Sequence, residues 1–318
     1  MSPRSRTPRL RAARSHVGAV AVVAALSFAV FGATSVAAQG MDDVEIETIA
    51  VADGVYMLVG QGGNIGVSVG EDGVFVIDDQ FAPLTEKILT AIGEITDEPV
   101  RFVFNTHWHG DHTGGNENMG KAGALIVAHH NVRERMSSEQ VLQRIGRPVS
   151  TTPASPDGAL PVVTFGEDVS FHINGGELHA FHVSHAHTDG DAIVHLRDAN
   201  VVHMGDTFFR NRFPFIDTAS GGSIDGLIAA VGAALAVMDA DTRIIPGHGP
   251  LSTREDLRAY GDALKTMRDA VARLMAQGMS LEAIQAERPV QAQAAAWGQD
   301  RAAEDVFVAT IHFGLGGR

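Results

Sequence analysis

The segment FNTHWHGDHTGGN (residues 104–116) places His107, His109, Asp111 and His112 within six positions. In an extended or tightly turning stretch, residues two apart project to one side. His107 and His109 can therefore reach one ion together, while Asp111 and His112, at the turn, point to a second. Imidazole and carboxylate suit Zn2+ or a neighbouring divalent metal. A lone buried histidine is ordinarily a hydrogen-bonded core residue, but four such residues at this spacing read as ligands. The chain has no cysteine, which excludes disulfides, thiolate ligands and a thiol nucleophile, so any metal is held by nitrogen and oxygen. Three further candidates stand at strand ends downstream: His185 and His187 in SHAHTDGD, Asp206 in HMGDTFF and His248 in IPGHGP.

Strands must hold these residues. GVYMLV (54–59), NIGVSV (64–69) and VFVID (74–78) read as an antiparallel meander. PLTEKILTAIGEI (83–95) repeats Leu84, Ile88, Ile92 and Ile95 at helical spacing. RFVFNT (101–106) is a strand, so the histidine cluster leaves its C-terminal end, where open α/β sheets bind ligands. ALIVAH (124–129) reads as a strand and NVRERMSSEQVLQRI (131–145) as a helix, followed by strands over 169–173, 177–183, 192–198 and 201–206. A helix over 223–238, a strand over 242–249 and a helix over 252–277 come next, the last capped by Ser252 with Glu255 and ended by Gly278. Residues 146–168, with four prolines and no period, read as a loop walling the site. Residues 280–313 read as a pair of short helices. Two strand-rich layers flanked by helices predict an α/β protein, a four-layer αβ/βα sandwich, as one domain over residues 41–318.

The first 38 residues stand apart. Five arginines precede an apolar run (17–32) and then small residues, the order of a secretory signal peptide cleaved after Ala38, so a periplasmic or secreted protein is expected. The run is too short for the ~20 residues of a membrane span, so no stable membrane insertion is expected after cleavage. Removing the segment leaves 19 basic against 38 acidic residues, a net charge near −19. Such a surface repels polyanions, and a nucleic-acid partner is excluded in favour of a small-molecule substrate.

Over residues 44–250 the sequence resembles the metallo-β-lactamase superfamily: HxHxDH is matched residue for residue, and the later His, Asp and His occur in order. The resemblance implies that His107, His109 and His187 hold a first metal, that Asp111, His112 and His248 hold a second, and that Asp206 bridges them. The metals would be Zn2+, with Mn2+ or Fe as alternatives. Asp111 would be the catalytic residue, orienting the hydroxide. Asp78 would support the metal loop by hydrogen bonding, and His185, on the same strand face as His187, would stand behind the ligands.

A bound divalent ion lowers the pKa of water from ~15.7 toward ~7, which gives hydrolysis without a Ser or Cys nucleophile. The spacing from His187 to Asp206 and from Asp206 to His248 is similar to that of subclass B1 metallo-β-lactamases. With export, this implies action on β-lactams or related cyclic amides and esters. Those enzymes carry cysteine where Asp206 stands and lack the histidine at His112; the present set is that of the broader superfamily, including glyoxalase II-like thioesterases. A thioesterase and a non-enzymatic metal-binding relay therefore stay open as alternatives. Arg210 and Arg212 are the candidates for binding a substrate carboxylate. The loop GQGGN (60–64), short and without an aromatic anchor, predicts an open cleft.

Overall fold

The computed structural model describes residues 40–142, 145–146 and 148–317; the expected signal peptide lies outside the described residues. Residues Ala37–Arg318 form one unit. Strands β1 (Glu47–Ala52), β2 (Val55–Val59), β3 (Ile65–Ser68) and β4 (Val74–Ile77) make the expected antiparallel meander, with β1 added at its edge. Helix α1 (Thr85–Gly93) then crosses over to β5 (Val100–Asn105), which lies parallel to β4. Beyond β5 come the short helices α2 (Gly110–Thr113) and α3 (Asn116–Lys121), then β6 (Leu125–His129) and α4 (His130–Met136).

The helix expected over 131–145 ends at Met136. Two serines follow whose hydroxyls turn back to the Glu134 carbonyl, and the Gln140 amide donates to the Arg135 carbonyl, so side chains take up the acceptors a further turn would use. Val141 and Leu142 fall instead in β7 (Gln140–Leu142), paired with β8 (Ser150–Thr152). The expected loop over 146–168 likewise contains β9 (Val163–Phe165), which extends the first sheet beside β6.

The second sheet runs β10 (Asp168–Ile173), β11 (Gly176–His182), β12 (Ala192–Leu196), β13 (Val201–His203), β14 (Arg243–Ile245) and β15 (Ser252–Thr253). Both β13 and β14 are shorter than the runs 201–206 and 242–249, because the chain leaves the ladder before Asp206 and His248. The helices are α5 (Ile224–Ala236), α6 (Arg254–Ala276), α7 (Leu281–Glu287), α8 (Gln291–Ala296) and α9 (Arg301–Gly314); the expected C-terminal pair is thus a trio whose last member has 14 residues.

Period two in the strands sets the layers. Phe75, Ile77 and Phe104 meet Leu178, Val194 and Ile245 between the sheets. Val74, Val76 and Val103 point the other way, onto Leu84, Ile88 and Ile92 of the α1 region. Ile193, Val202 and Ile244 face α5, α6 and α9 through Leu227, Leu264 and Phe307. The result is the four-layer αβ/βα sandwich. Among the described residues no helix is long and apolar enough to cross a membrane.

The cap of α6 sits one residue later than the sequence reading placed it. Thr253 and Asp256 form the reciprocal box, while the Ser252 hydroxyl donates to the Pro250 carbonyl. Thr253→Ala should cost about 1 kcal/mol of unfolding free energy, read by urea denaturation, and leave metal content unchanged.

Candidate metal centre

Seven side chains from the ends of both sheets converge. His107 and His109 follow β5 and Asp111 and His112 lie in α2, all on the first sheet; His187 precedes β12, Asp206 follows β13 and His248 follows β14 on the second. His107, His109, His187 and Asp206 bring ligand atoms within 4.8 Å of one another, and so do Asp111, His112 and His248. Asp206 joins the two groups. Its Oδ2 lies 3.8 Å from His107 Nε2 and 3.5 Å from His187 Nε2, while its Oδ1 lies 3.2 Å from His112 Nε2 and 3.3 Å from His248 Nε2. Asp111 Oδ2 stands 3.3 Å from His248 Nε2, partly open to the cavity.

The hydrogen bonds behind these residues fix which ring nitrogen is bare. The Phe215 carbonyl can only accept, so His187 Nδ1 carries the proton (2.7 Å) and Nε2 presents a lone pair. The Asp217 carboxylate accepts from His109 Nε2 at 3.0 Å, leaving Nδ1 bare, 2.8 Å from His187 Nε2. Asp78 accepts from His112 Nδ1 at 2.7 Å and from the Thr106 hydroxyl at 2.8 Å. Since that hydroxyl proton is committed, Thr106 accepts from His107 Nδ1 at 3.0 Å and frees Nε2. One buried carboxylate therefore orients a histidine of each group. Asp78 holds a left-handed φ of 62°, which a short polar side chain tolerates, and its carboxylate also accepts the Thr106 N–H.

The residues fit metal binding. His107 Nε2, His112 Nε2 and Asp206 Oδ1 are buried without a hydrogen-bond partner, and each such atom costs ~1–3 kcal/mol unless something satisfies it. Glycine makes the approach possible: a Cβ at Gly63 would overlap the His112 ring, and one at Gly247 would overlap Asp206 Oδ1.

The two groups differ in charge. Burial pushes His107 well below its usual pKa and His187 down to about 4, so both are neutral at pH 7. Burial acts the same way on His248 and His112, but Asp206 and Asp111 outweigh it, lifting His248 to about 9 and His112 well above its ordinary value. Burial would raise Asp111, yet His112 and His248 hold it at about 2.

Of the remaining sequence candidates, Asp78 stands where it was expected. His185 is exposed and its ring reaches the Gly221 carbonyl, not a ligand; its φ of 55° turns the chain, so the same-face argument from strand period fails there. Arg210 is drawn to Asp256 of α6 at 2.7 Å, whereas Arg212 lines the cavity. The loop 60–64 is pinned beneath the centre, with the buried Asn64 amide donating to the Pro246 and Gly249 carbonyls. Residues of α9 also line the cavity, which stays partly open to solvent. Sequence reading missed Asp217, whose only local sign is its Asx-type turn with Ser220, and Asp191, whose carboxylate accepts from the His187 and Thr188 amides.

The metallo-beta-lactamase superfamily model matches residues 59–269, and the chain belongs to that superfamily of hydrolases. It is 27% identical to a hydroxyacylglutathione hydrolase from Nitrosococcus oceani over 172 residues, 52% of this chain and 55% of that protein. A second hydroxyacylglutathione hydrolase, from Polaromonas sp., is 28% identical with the same coverage. The chain spans about half the length of these curated relatives. Among solved structures, a metallo-beta-lactamase from Pontibacter korlensis superposes with a TM-score of 0.56 at 19% identity, over 70% of this chain and 99% of that one. The sec-alkylsulfatase Pisa1 from Pseudomonas sp. gives 0.61 at 17%, over 85% of this chain and 50% of that one. These last two likenesses concern the fold alone.

Asp217→Asn should weaken the first metal about 10- to 100-fold by loosening His109, read as residual metal after graded dialysis against chelator. Metal entering the second group must displace the proton on His248 and His112. Its apparent affinity should rise with pH as His248, raised to about 9, loses its proton, whereas His187 of the first group, at about 4, has none to lose at neutral pH. Calorimetric titration in buffers of different ionisation enthalpy should record proton release for the second ion.

Proposed function

We propose that the protein is an exported, binuclear metal-dependent hydrolase acting on β-lactams or related cyclic amides and esters. The observation that carries this reading is the Asp206 carboxylate, with one oxygen turned to each group of histidines. Two divalent ions, when bound, would supply Lewis acidity and a water ionised near neutral pH. His107, His109, His187 and Asp206 would hold one ion, and Asp111, His112, His248 and Asp206 the other. Asp111, ionised across the physiological range and facing the cavity, accepts a hydrogen bond from the attacking water and aims it at the carbonyl carbon. Water adds its oxygen to that carbon, the C–N or C–O bond breaks, and the proton ends on the leaving nitrogen or oxygen. Arg212, exposed and without an ion pair among the described residues, would meet a substrate carboxylate. Phe209, stacked on His248 at 5.3 Å, and Phe215, 5.7 Å from the His109 ring, keep the ligand rings still and the site dry.

A second reading, a thioester hydrolase, is favoured by the curated relatives and by Asp206 standing where subclass B1 enzymes carry a cysteine. Weighing against a glutathione thioester, with its two carboxylates, is the lining beyond the ligands, where Arg212 stands as the sole cation among the described residues. Turnover of a chromogenic cephalosporin, a lactone and an acyl-glutathione thioester by the metal-loaded full chain decides between them. Chelator-sensitive cleavage of the lactam or lactone above the thioester is expected. Cleavage of the thioester alone would replace the first reading with the second, and no cleavage of any would remove both.

A further inference from the structure

Helix α9 supplies no ligand, yet one of its faces lies along the cavity that ends at the metal centre. That cavity measures about 620 Å3, within the ~300–1,000 Å3 of sites that enclose small molecules. It runs from Asp111 and His248 at one end to Ala303, Val306 and Phe307 of α9 at the other. Phe213, Pro214 and Ile216 line it as well.

Three observations set what this space can hold. Apart from the ligands, the only charged side chain on the described lining is Arg212, and of the α9 residues there only Thr310 is polar, its hydroxyl donating back to the Val306 carbonyl. Val306 is 38% exposed in a helix whose other inward apolar residues, Phe307 and Val308, are buried, so it presents a methyl surface to the cavity without a covering side chain. The walls are also rigid: Phe213 stacks on Phe307 at 4.6 Å and 13°, and meets Trp297 edge-on at 5.7 Å. A preformed apolar wall of this kind costs little to order and gains by dewetting. At the far side the chain comes close to α9 at Gly146, whose added Cβ would stand 3.5 Å from Val306 Cγ2.

We propose that this wall is a tail-binding subsite and that the substrate is an amphiphile: a hydrolysable ester, lactone or amide carbonyl at the metal centre, joined to a straight apolar acyl chain lying along α9 over Val306 and beside the stacked Phe213 and Phe307. The proposal rests on the hydrolytic reading above for the chemistry of the head, but the tail site stands on the lining alone.

Binding of n-alkyl carboxylates from butanoate to decanoate to the full chain, metal-loaded and metal-free, is the direct test, read by calorimetry. Affinity is expected to climb about three- to fourfold per methylene, as burial of each methylene implies, until the wall is filled. In parallel, kcat/KM for 4-nitrophenyl esters from acetate to decanoate should climb with chain length. Val306→Asp should remove at least tenfold of the decanoate gain. Val162→Asp, a control at an exposed site on the edge of the first sheet, should keep the whole series. A flat carboxylate series, or a series that Val306→Asp leaves intact, would overturn the proposal. Tail-dependent binding without cleavage of any ester would sink the hydrolytic reading and keep the subsite; cleavage with a flat series would do the reverse.

Discussion

A carboxylate buried among four imidazoles is the constraint to which the rest of this structure answers. Asp206 lies too deep for water to solvate, and its two oxygens divide between His107 and His187 on one side and His112 and His248 on the other. Burying such a charge is unfavourable unless opposite charge surrounds it. In the metal-free protein the protons on His112 and His248 provide that charge; with metal, the ions do. The same position explains why Gly247 stands beside it, because a Cβ there would overlap the carboxylate, while one at Gly205 would meet Thr106.

The second tier of the site converts backbone and carboxylate acceptors into ligand identity. Asp78, Asp217 and the Phe215 carbonyl each take a ring proton from the nitrogen that faces away from the centre, so the facing nitrogen is the one left for a metal. Ligands from both sheets meet at this point, and the inter-sheet core of Phe75, Phe104 and Ile245 fixes the distance between them. Packing energy is thereby spent on aligning the ligands, and metal affinity inherits its precision from an apolar interface.

Much of this was legible in the chain. Period-two valines and isoleucines marked the meander and the layers, and the HxHxDH cluster with its later His, Asp and His named all seven residues that converge. What stayed illegible depends on contacts distant in sequence. Asp217 lies 108 residues from the ring it orients, and nothing local separates it from a turn aspartate. Helix α4 was overextended because the apolar period of Val141 and Leu142 resembles a helix, while serine hydroxyls and a glutamine amide decided its end. His185 failed because strand period holds only while the backbone stays extended, and at φ 55° it does not. Arg210 and Arg212 are two residues apart, and only the fold shows that α6 claims one of them.

The placement of α9 separates two properties that a single pocket usually ties together. Every group that would hold metal or move a proton lies beyond a strand end, within residues 78–248, whereas the α9 side of the cavity comes from residues after 298. A change on the exposed face of α9 alters the fit of a ligand without disturbing a ligand's hydrogen bonds, and a change at Asp78 or Asp217 does the opposite. In such an architecture selectivity can drift by point substitution in a terminal helix while the reaction centre stays under purifying constraint, so chains sharing all seven metal-facing residues are free to diverge in what they cleave.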